Sequence, residues 1–215
     1  MPFKISITIV SILMLVSTAF AADSGLTSKI QNKYDSIQSF SADFIQTLTT
    51  AASGEQEIRK GSILFKQPSL LRWDTVSPEK ELLMVGKSYV WDYYPEDQLA
   101  MKYHAEQVFN SKTMIKFISG QANLAEDFVI ENQGDDHGLI KLKLIPKEPE
   151  PGLVLGYVWV DSESSMLMKV LSVDFYGNGN EVDLSNINLE PKVSDSDFEF
   201  TPPEGVNIED NTADN

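Results

Sequence analysis

Short apolar runs that alternate with polar residues recur along this chain about every ten residues, and turn signals separate them. A two-residue period sends alternate side chains to the same face, so each run reads as a half-buried strand. Phe40, Ala42 and Phe44 alternate, and Ile58–Phe65 follows a Ser53-Gly54 turn. Leu70–Trp73, Leu82–Val85 and Ser88–Tyr93 continue the series, divided by Pro78, Gly86-Lys87 and Pro95. Gly86-Lys87 between two apolar runs predicts a tight hairpin. Leu139–Ile145 points Lys141 and Lys143 to the opposite face, and Tyr157–Val160, Met166–Phe175 and Glu181–Leu189 follow. Turns at 134–136, 149–152 and 177–180 join them. So many sequential strands predict one antiparallel sheet that curls.

Two stretches break the rhythm. Leu26, Ile30, Tyr34 and Ile37 recur at helical spacing with polar residues between them, which predicts an amphipathic helix over about 26–37. Ser111–Ser119 predicts a second helix, with Ser111 as N-cap, Gly120 as C-cap and Met114, Phe117 and Ile118 on one side. The fold class that results is α+β: an incomplete antiparallel β-barrel, or strongly curved sheet, with helices over its concave, apolar side. Such a sheet can hold a cavity. Met114, Met166, Met168 and the strand aromatics suit a greasy ligand of variable shape as well as they suit an ordinary core.

The first residues read as a leader. Lys4 precedes an apolar run from Ile5 to Val16, and Ala19-Phe20-Ala21 matches a signal-peptidase site before Ala22. That run is short for a permanent membrane anchor. The expected organisation is a cleaved signal over 1–21 and one domain over 22–215, its last roughly eight residues disordered. Export as a soluble protein follows from this reading, and a monomer is the default expectation. The chain has no cysteine, so no acyl chain can be attached at the cleavage site, and disulfides, thiolate catalysis and iron–sulfur clusters are excluded. A formal net charge of −15 argues against nucleic acid and against electrostatic docking on anionic lipid.

No catalytic constellation stands out, and the expectation is a protein that is not an enzyme and takes neither cofactor nor metal. Asp135-Asp136-His137 lies between Gly134 and Gly138, the setting of an exposed turn. His104 has no nucleophile motif beside it. Asp195, Asp197, Glu199, Glu204, Glu209 and Asp210 lack the spacing of a calcium loop. A partly buried acid–base cluster in the cavity would favour an enzyme.

Four blocks in order resemble the periplasmic outer-membrane lipoprotein carrier (LolA) family. They are Phe40-Ser41-Ala42-Asp43-Phe44-Ile45-Gln46; the stretch from Gly61 through Phe65-Lys66-Gln67-Pro68 to Arg72-Trp73; Asp174-Phe175-Tyr176-Gly177-Asn178; and Phe198-Glu199-Phe200-Thr201-Pro202-Pro203-Glu204-Gly205-Val206. The resemblance implies a periplasmic chaperone that binds acylated lipoproteins released from the inner membrane by an ABC transporter. It would shield their acyl chains in an apolar cavity and deliver them to an outer-membrane receptor. A carrier of glycolipid or phospholipid, or a lipoprotein-sensing signalling module of the same fold, are the alternatives.

The resemblance also suggests site residues. Some family members place an arginine before the proline, where it ties the strand to lid helices through main-chain carbonyls. Gln67 holds that position here, and Gln67 and Arg72 are the expected lid latch. Leu71 occupies the bulky apolar position that meets transporter or cargo near the mouth. Tyr34, Phe44, Phe65, Trp73, Trp91, Met114, Phe117 and Ile118 are the expected lining of cavity and lid.

Overall fold

In the computed structural model, residues 24–105, 114–118 and 122–212 are described. The leader at 1–21, the two proposed caps Ser111 and Gly120, and the last three residues lie outside them. The N-terminal stripe forms α1 (Ser24–Ser36), which burial of Leu26, Ile30 and Tyr34 fixes against the sheet. Then comes a run of strands: β1 (Ser39–Thr49), β2 (Gln56–Lys66), β3 (Leu70–Ser77), β4 (Glu81–Val85), β5 (Tyr89–Tyr94) and β6 (Leu99–His104). Two short helices, α2 (Met114–Ile118) and α3 (Leu124–Asp127), precede β7 (Phe128–Asp136), β8 (Leu139–Pro146), β9 (Leu155–Val160), β10 (Leu167–Val173) and β11 (Gly179–Asn188). A 3₁₀ turn (Asp195–Phe198) and β12 (Asn207–Asp210) end the chain.

All the strands join one 12-stranded sheet in the order β12-β6-β5-β4-β3-β2-β1-β11-β10-β9-β8-β7. Among the described residues neighbours in the sheet pair antiparallel, except that β12 lies parallel on β6. β1 is the seam, holding β2 on one side and β11 on the other, with Phe44 opposite both Gly61 and Leu184. The edge strands β12 and β7 do not pair with each other, so the curved sheet stays an open half-barrel. Gly61 is required at the seam, because a Cβ there would lie 1.8 Å from the Asp74 carbonyl oxygen.

The strand runs read from alternation are present. β6, β7 and β12 were not foreseen: β6 and β7 carry polar residues on half-buried faces, and β12 is exposed throughout. The turn is exposed as expected but lies at His137-Gly138, at φ +57° and +85°, while residues 134–136 continue β7. Asp136 also has a structural partner, since the Trp159 Nε1–H donates to its carboxylate at 2.8 Å.

A second core lies on the outer face, which sequence alternation alone did not predict. Leu70, Met84 and Phe198 are buried there, with Leu64, Trp91 and Phe200 packed against them. The chain after β11 crosses this face, and Phe200 contacts the rings of Trp91 (5.6 Å) and Tyr93 (5.1 Å). Asp195 fastens it by pairing with Lys66 at 2.6 Å and Lys87 at 2.8 Å. Those two lysines hold the Asp195 carboxyl down at about 2. Two of the acidic groups considered for calcium therefore serve the backbone and neighbouring lysines: Asp197 accepts from the Ser194 N–H at 2.7 Å.

Candidate functional site

The concave face of the half-barrel is apolar through its middle. Phe40, Ala42 and Phe44 of β1, Ile63 and Phe65 of β2, and Leu71 and Trp73 of β3 are buried in one cluster. The opposite wing adds Leu142, Val158, Val170 and Val182 to the same cluster. Phe40 meets Phe65 with ring centres 5.4 Å apart, and Phe44 meets Trp73 at 4.7 Å. These contacts follow from register, because Phe40 and Phe65 are directly opposed across β1 and β2.

The helices cover this face. Ile30 and Tyr34 of α1, Phe117 of α2 and Leu124 of α3 converge with Ala122 and Leu167 around a cavity of only about 10 Å³. That is no more than the space of one water molecule. The described side chains of helices and sheet fill the space between them.

Side-chain hydrogen bonds help to hold the cover. The Leu167 N–H donates to the Tyr34 hydroxyl at 3.2 Å, and the Leu124 N–H donates to the Gln31 carboxamide oxygen at 3.4 Å. Burial pushes the Tyr34 hydroxyl well above the ordinary phenol range, with the Leu167 bond opposing it. Gln67 Nε2 donates to the Asp35 carbonyl at 3.2 Å, at the C-terminal end of α1. The Gln67 N–H also donates to the Gln38 carbonyl at 2.8 Å. Gln67 thus stands where a strand-to-helix tie through a main-chain carbonyl was expected.

Several other expectations need correction. Arg72 lies on the outer face and forms a bidentate pair with Asp74, at 2.6 and 3.0 Å, so it makes no tie to the helices. That carboxylate raises the Arg72 guanidinium pKa further. Trp91 also faces outward, into the second core, because it shares parity with Met84 across β4–β5 and not with Val90. Leu71 is 1% exposed, deep in the main cluster, so as a surface contact at a mouth it is out of reach in this state. Tyr34, Phe44, Phe65, Trp73, Phe117 and Ile118 all lie in the main cluster. The Met114 side chain lies outside the described residues.

One feature of the interior escaped the sequence reading. Toward the end of the half-barrel away from Tyr34, the inner face turns polar. Arg59 pairs with Glu81 at 2.8 Å, and the Tyr94 hydroxyl donates to Asp92 Oδ2 at 3.0 Å. Asp92 Oδ1 is buried with no hydrogen-bond partner among the described residues. Burial first, and the nearby Glu81 charge second, push the Asp92 carboxyl up to about 6. Burial and the Asp92 charge likewise push the Tyr94 hydroxyl up. Alternation held the signal, since Asp92 and Tyr94 share the parity of buried Val90. The cluster can hold a proton, and among the described residues no serine or histidine is hydrogen-bonded to it. No group of three His, Asp or Glu among the described residues is placed to hold a metal ion.

Comparison with known proteins agrees with this architecture. The family model for outer membrane lipoprotein carrier protein LolA matches residues 35–201. The outer-membrane lipoprotein carrier protein of Methylococcus capsulatus is 28% identical over 204 residues, covering 92% of this chain and 94% of its own. Among solved structures, an uncharacterized conserved protein of Thermus thermophilus superposes with a TM-score of 0.56 at 9% identity, covering 86% of this chain and 97% of that one. The lipoprotein LppX of Mycobacterium tuberculosis superposes with a TM-score of 0.52 at 11% identity, covering 80% of this chain and all of that one. At such identities the two structures speak for the half-barrel fold alone.

Proposed function

The chain belongs to the LolA family of outer-membrane lipoprotein carrier proteins, and on that premise we propose that it carries acylated lipoproteins across the periplasm. It takes them from an inner-membrane ABC transporter and hands them to an outer-membrane receptor, without chemistry of its own. Residues 1–21 act as the cleaved leader, and 22–215 form a single carrier domain that works as a monomer. The observation that carries this reading is the apolar inner face, closed by helices over a cavity of about 10 Å³.

The physics of such a carrier follows from that closure. Each methylene removed from water gains roughly 0.8 kcal/mol, so several acyl chains are worth tens of kcal/mol. Loading requires the helices to lift, which uncovers Leu26, Ile30, Tyr34 and Ile37. At roughly 1.5–3 kcal/mol each, that exposure costs on the order of 6–12 kcal/mol and offsets part of the gain. Net binding is thereby weakened, and the cargo can pass to a receptor that offers equal or better burial. Gln67 and Tyr34 are the polar ties that release when α1 lifts. Leu71, Phe44, Phe65, Trp73, Phe117 and Ile118 form the wall and cover that acyl chains then meet.

Mass spectrometry on protein recovered from a periplasmic extract without detergent tests the reading. Co-purifying acylated lipoproteins, released by added detergent, are the expected result. Free glycolipid or phospholipid in their place would move the assignment to another lipid. Protein that stays empty when incubated with its own transporter and cargo would overturn it.

A further inference from the structure

The β10–β11 turn carries the aromatic block Phe175-Tyr176, which the proposed interior site does not use. Phe175 is 73% exposed and Tyr176 is 80% exposed, the two highest values among the exposed large apolar residues. Their rings meet edge-on at 5.8 Å, so they form one continuous apolar tip.

The tip is held in place. The Asp174 carboxylate is turned into its own turn, accepting from the Tyr176 N–H, the Asn178 N–H and the Asn178 carboxamide, each at 2.8 Å. The Phe175 N–H donates to the Pro151 carbonyl at 2.9 Å, and the Ala51 N–H donates to the Asn178 side chain at 3.0 Å. Three loops are thus tied together behind two side chains that touch little else. Such preorganisation lowers the ordering cost when the tip is buried by a partner.

Shape and charge select that partner. The tip protrudes, so what covers it must yield around it. The nearest exposed residues Ala51, Ala52, Ser53 and Pro151 are uncharged, the carboxylate in the turn itself is engaged inside it, and the same two loops carry Glu55, Glu148 and Glu150, which disfavour an anionic surface. The chain as a whole carries −15, which opposes an anionic surface. A phenyl ring beside a phenol suits the boundary between acyl chains and neutral head groups, where one ring sits deep and the hydroxyl stays wet. We infer that the Phe175–Tyr176 tip is a contact site for the interface of a zwitterionic bilayer, used for transient seating on a membrane.

Flotation with phosphatidylcholine vesicles tests this, using protein from a periplasmic extract so that any leader has been removed in the cell. The wild-type protein should float with the vesicles, and binding should fall when phosphatidylglycerol replaces part of the lipid at low salt. F175S/Y176S should lower the bound fraction by about fivefold or more, with circular dichroism and Tm unchanged. F175W should retain binding and show a blue-shifted emission component on adding vesicles, absent from the wild type. The inference is overturned if the wild type fails to float, if F175S/Y176S floats equally well, or if phosphatidylglycerol strengthens binding. It is also overturned if the two aromatics prove to be buried in a concentration-dependent dimer by sedimentation.

Discussion

Truncating Ile30 separates the closed state from the loaded one. Ile30 is 1% exposed and lines the small cavity beneath α1 with Tyr34, Phe117 and Leu124. Ile30→Ala removes three carbons, about 2.4 kcal/mol at 0.8 per methylene, and the cavity left behind brings the total to about 3–4 kcal/mol. Alanine's better helix propensity returns only a few tenths of a kcal/mol. Urea unfolding should report that loss. In a carrier whose α1 lifts to admit acyl chains, the loss falls on the closed state and spares the loaded one. The apparent affinity for a fluorescent fatty-acyl probe should then rise, by up to about 50-fold for 2.4 kcal/mol. A variant that unfolds more easily but binds the probe with unchanged or weaker affinity would show that α1 stays seated during binding, and the lid argument would fall.

Three further outcomes follow from the geometry. Leu71→Glu places a carboxylate at a 1% exposed position, so it should cost about 3 kcal/mol or more and show as loss of soluble protein or a collapsed Tm. A stable, folded L71E protein would mean the position is not core. Asp92 has a folded pKa of about 6 against an ordinary 3.8, so the folded state holds a proton that the unfolded state has lost between those values. Stability should therefore fall as pH rises from about 4 to 6 and level off above. Asp92→Asn should flatten that slope in urea titrations and, discounted for the carboxyl's partial exposure, raise neutral-pH stability by about 1 kcal/mol. Gln67→Ala removes the bond to the Asp35 carbonyl; hydrogen exchange at the C-terminal end of α1 should quicken, with a global cost of about 0.5–1 kcal/mol. Unchanged exchange would remove Gln67 from the tie.

Strand runs were legible wherever alternation was sharp and a turn residue closed the segment. Val158 and Val160 of β9 stand on one face with Trp159 on the other, as a two-residue period requires. Where both faces are partly covered, alternation blurs, and β6 escaped notice because its residues are almost all half-buried. Tyr34, Phe117 and Ile118 could be placed on the covering helices from spacing and resemblance. The interior pair of Asp92 and Tyr94 could have been found from the parity of Val90, but polar residues in a strand are ordinarily assigned to solvent.

By itself the sequence determined most of the elements: a two-residue period, broken by two helical stretches, admits a curling antiparallel sheet with a helical cover. It also determined the character of the interior, because the large aromatics and aliphatics of β1 to β3 have nowhere else to go. Only the tertiary structure decided which face of each strand looks inward. Leu70 and Leu71 are adjacent and both buried, one against the C-terminal segment on the outside and one in the main core. Alternation sets parity within a strand, but the choice of face depends on what distant segments cover. For the same reason Arg72 and Trp91 lie outside while Gln67 reaches α1. The small cavity is likewise a tertiary fact, since it measures how fully α1 and α2 fill the half-barrel that β1 to β11 curve around them.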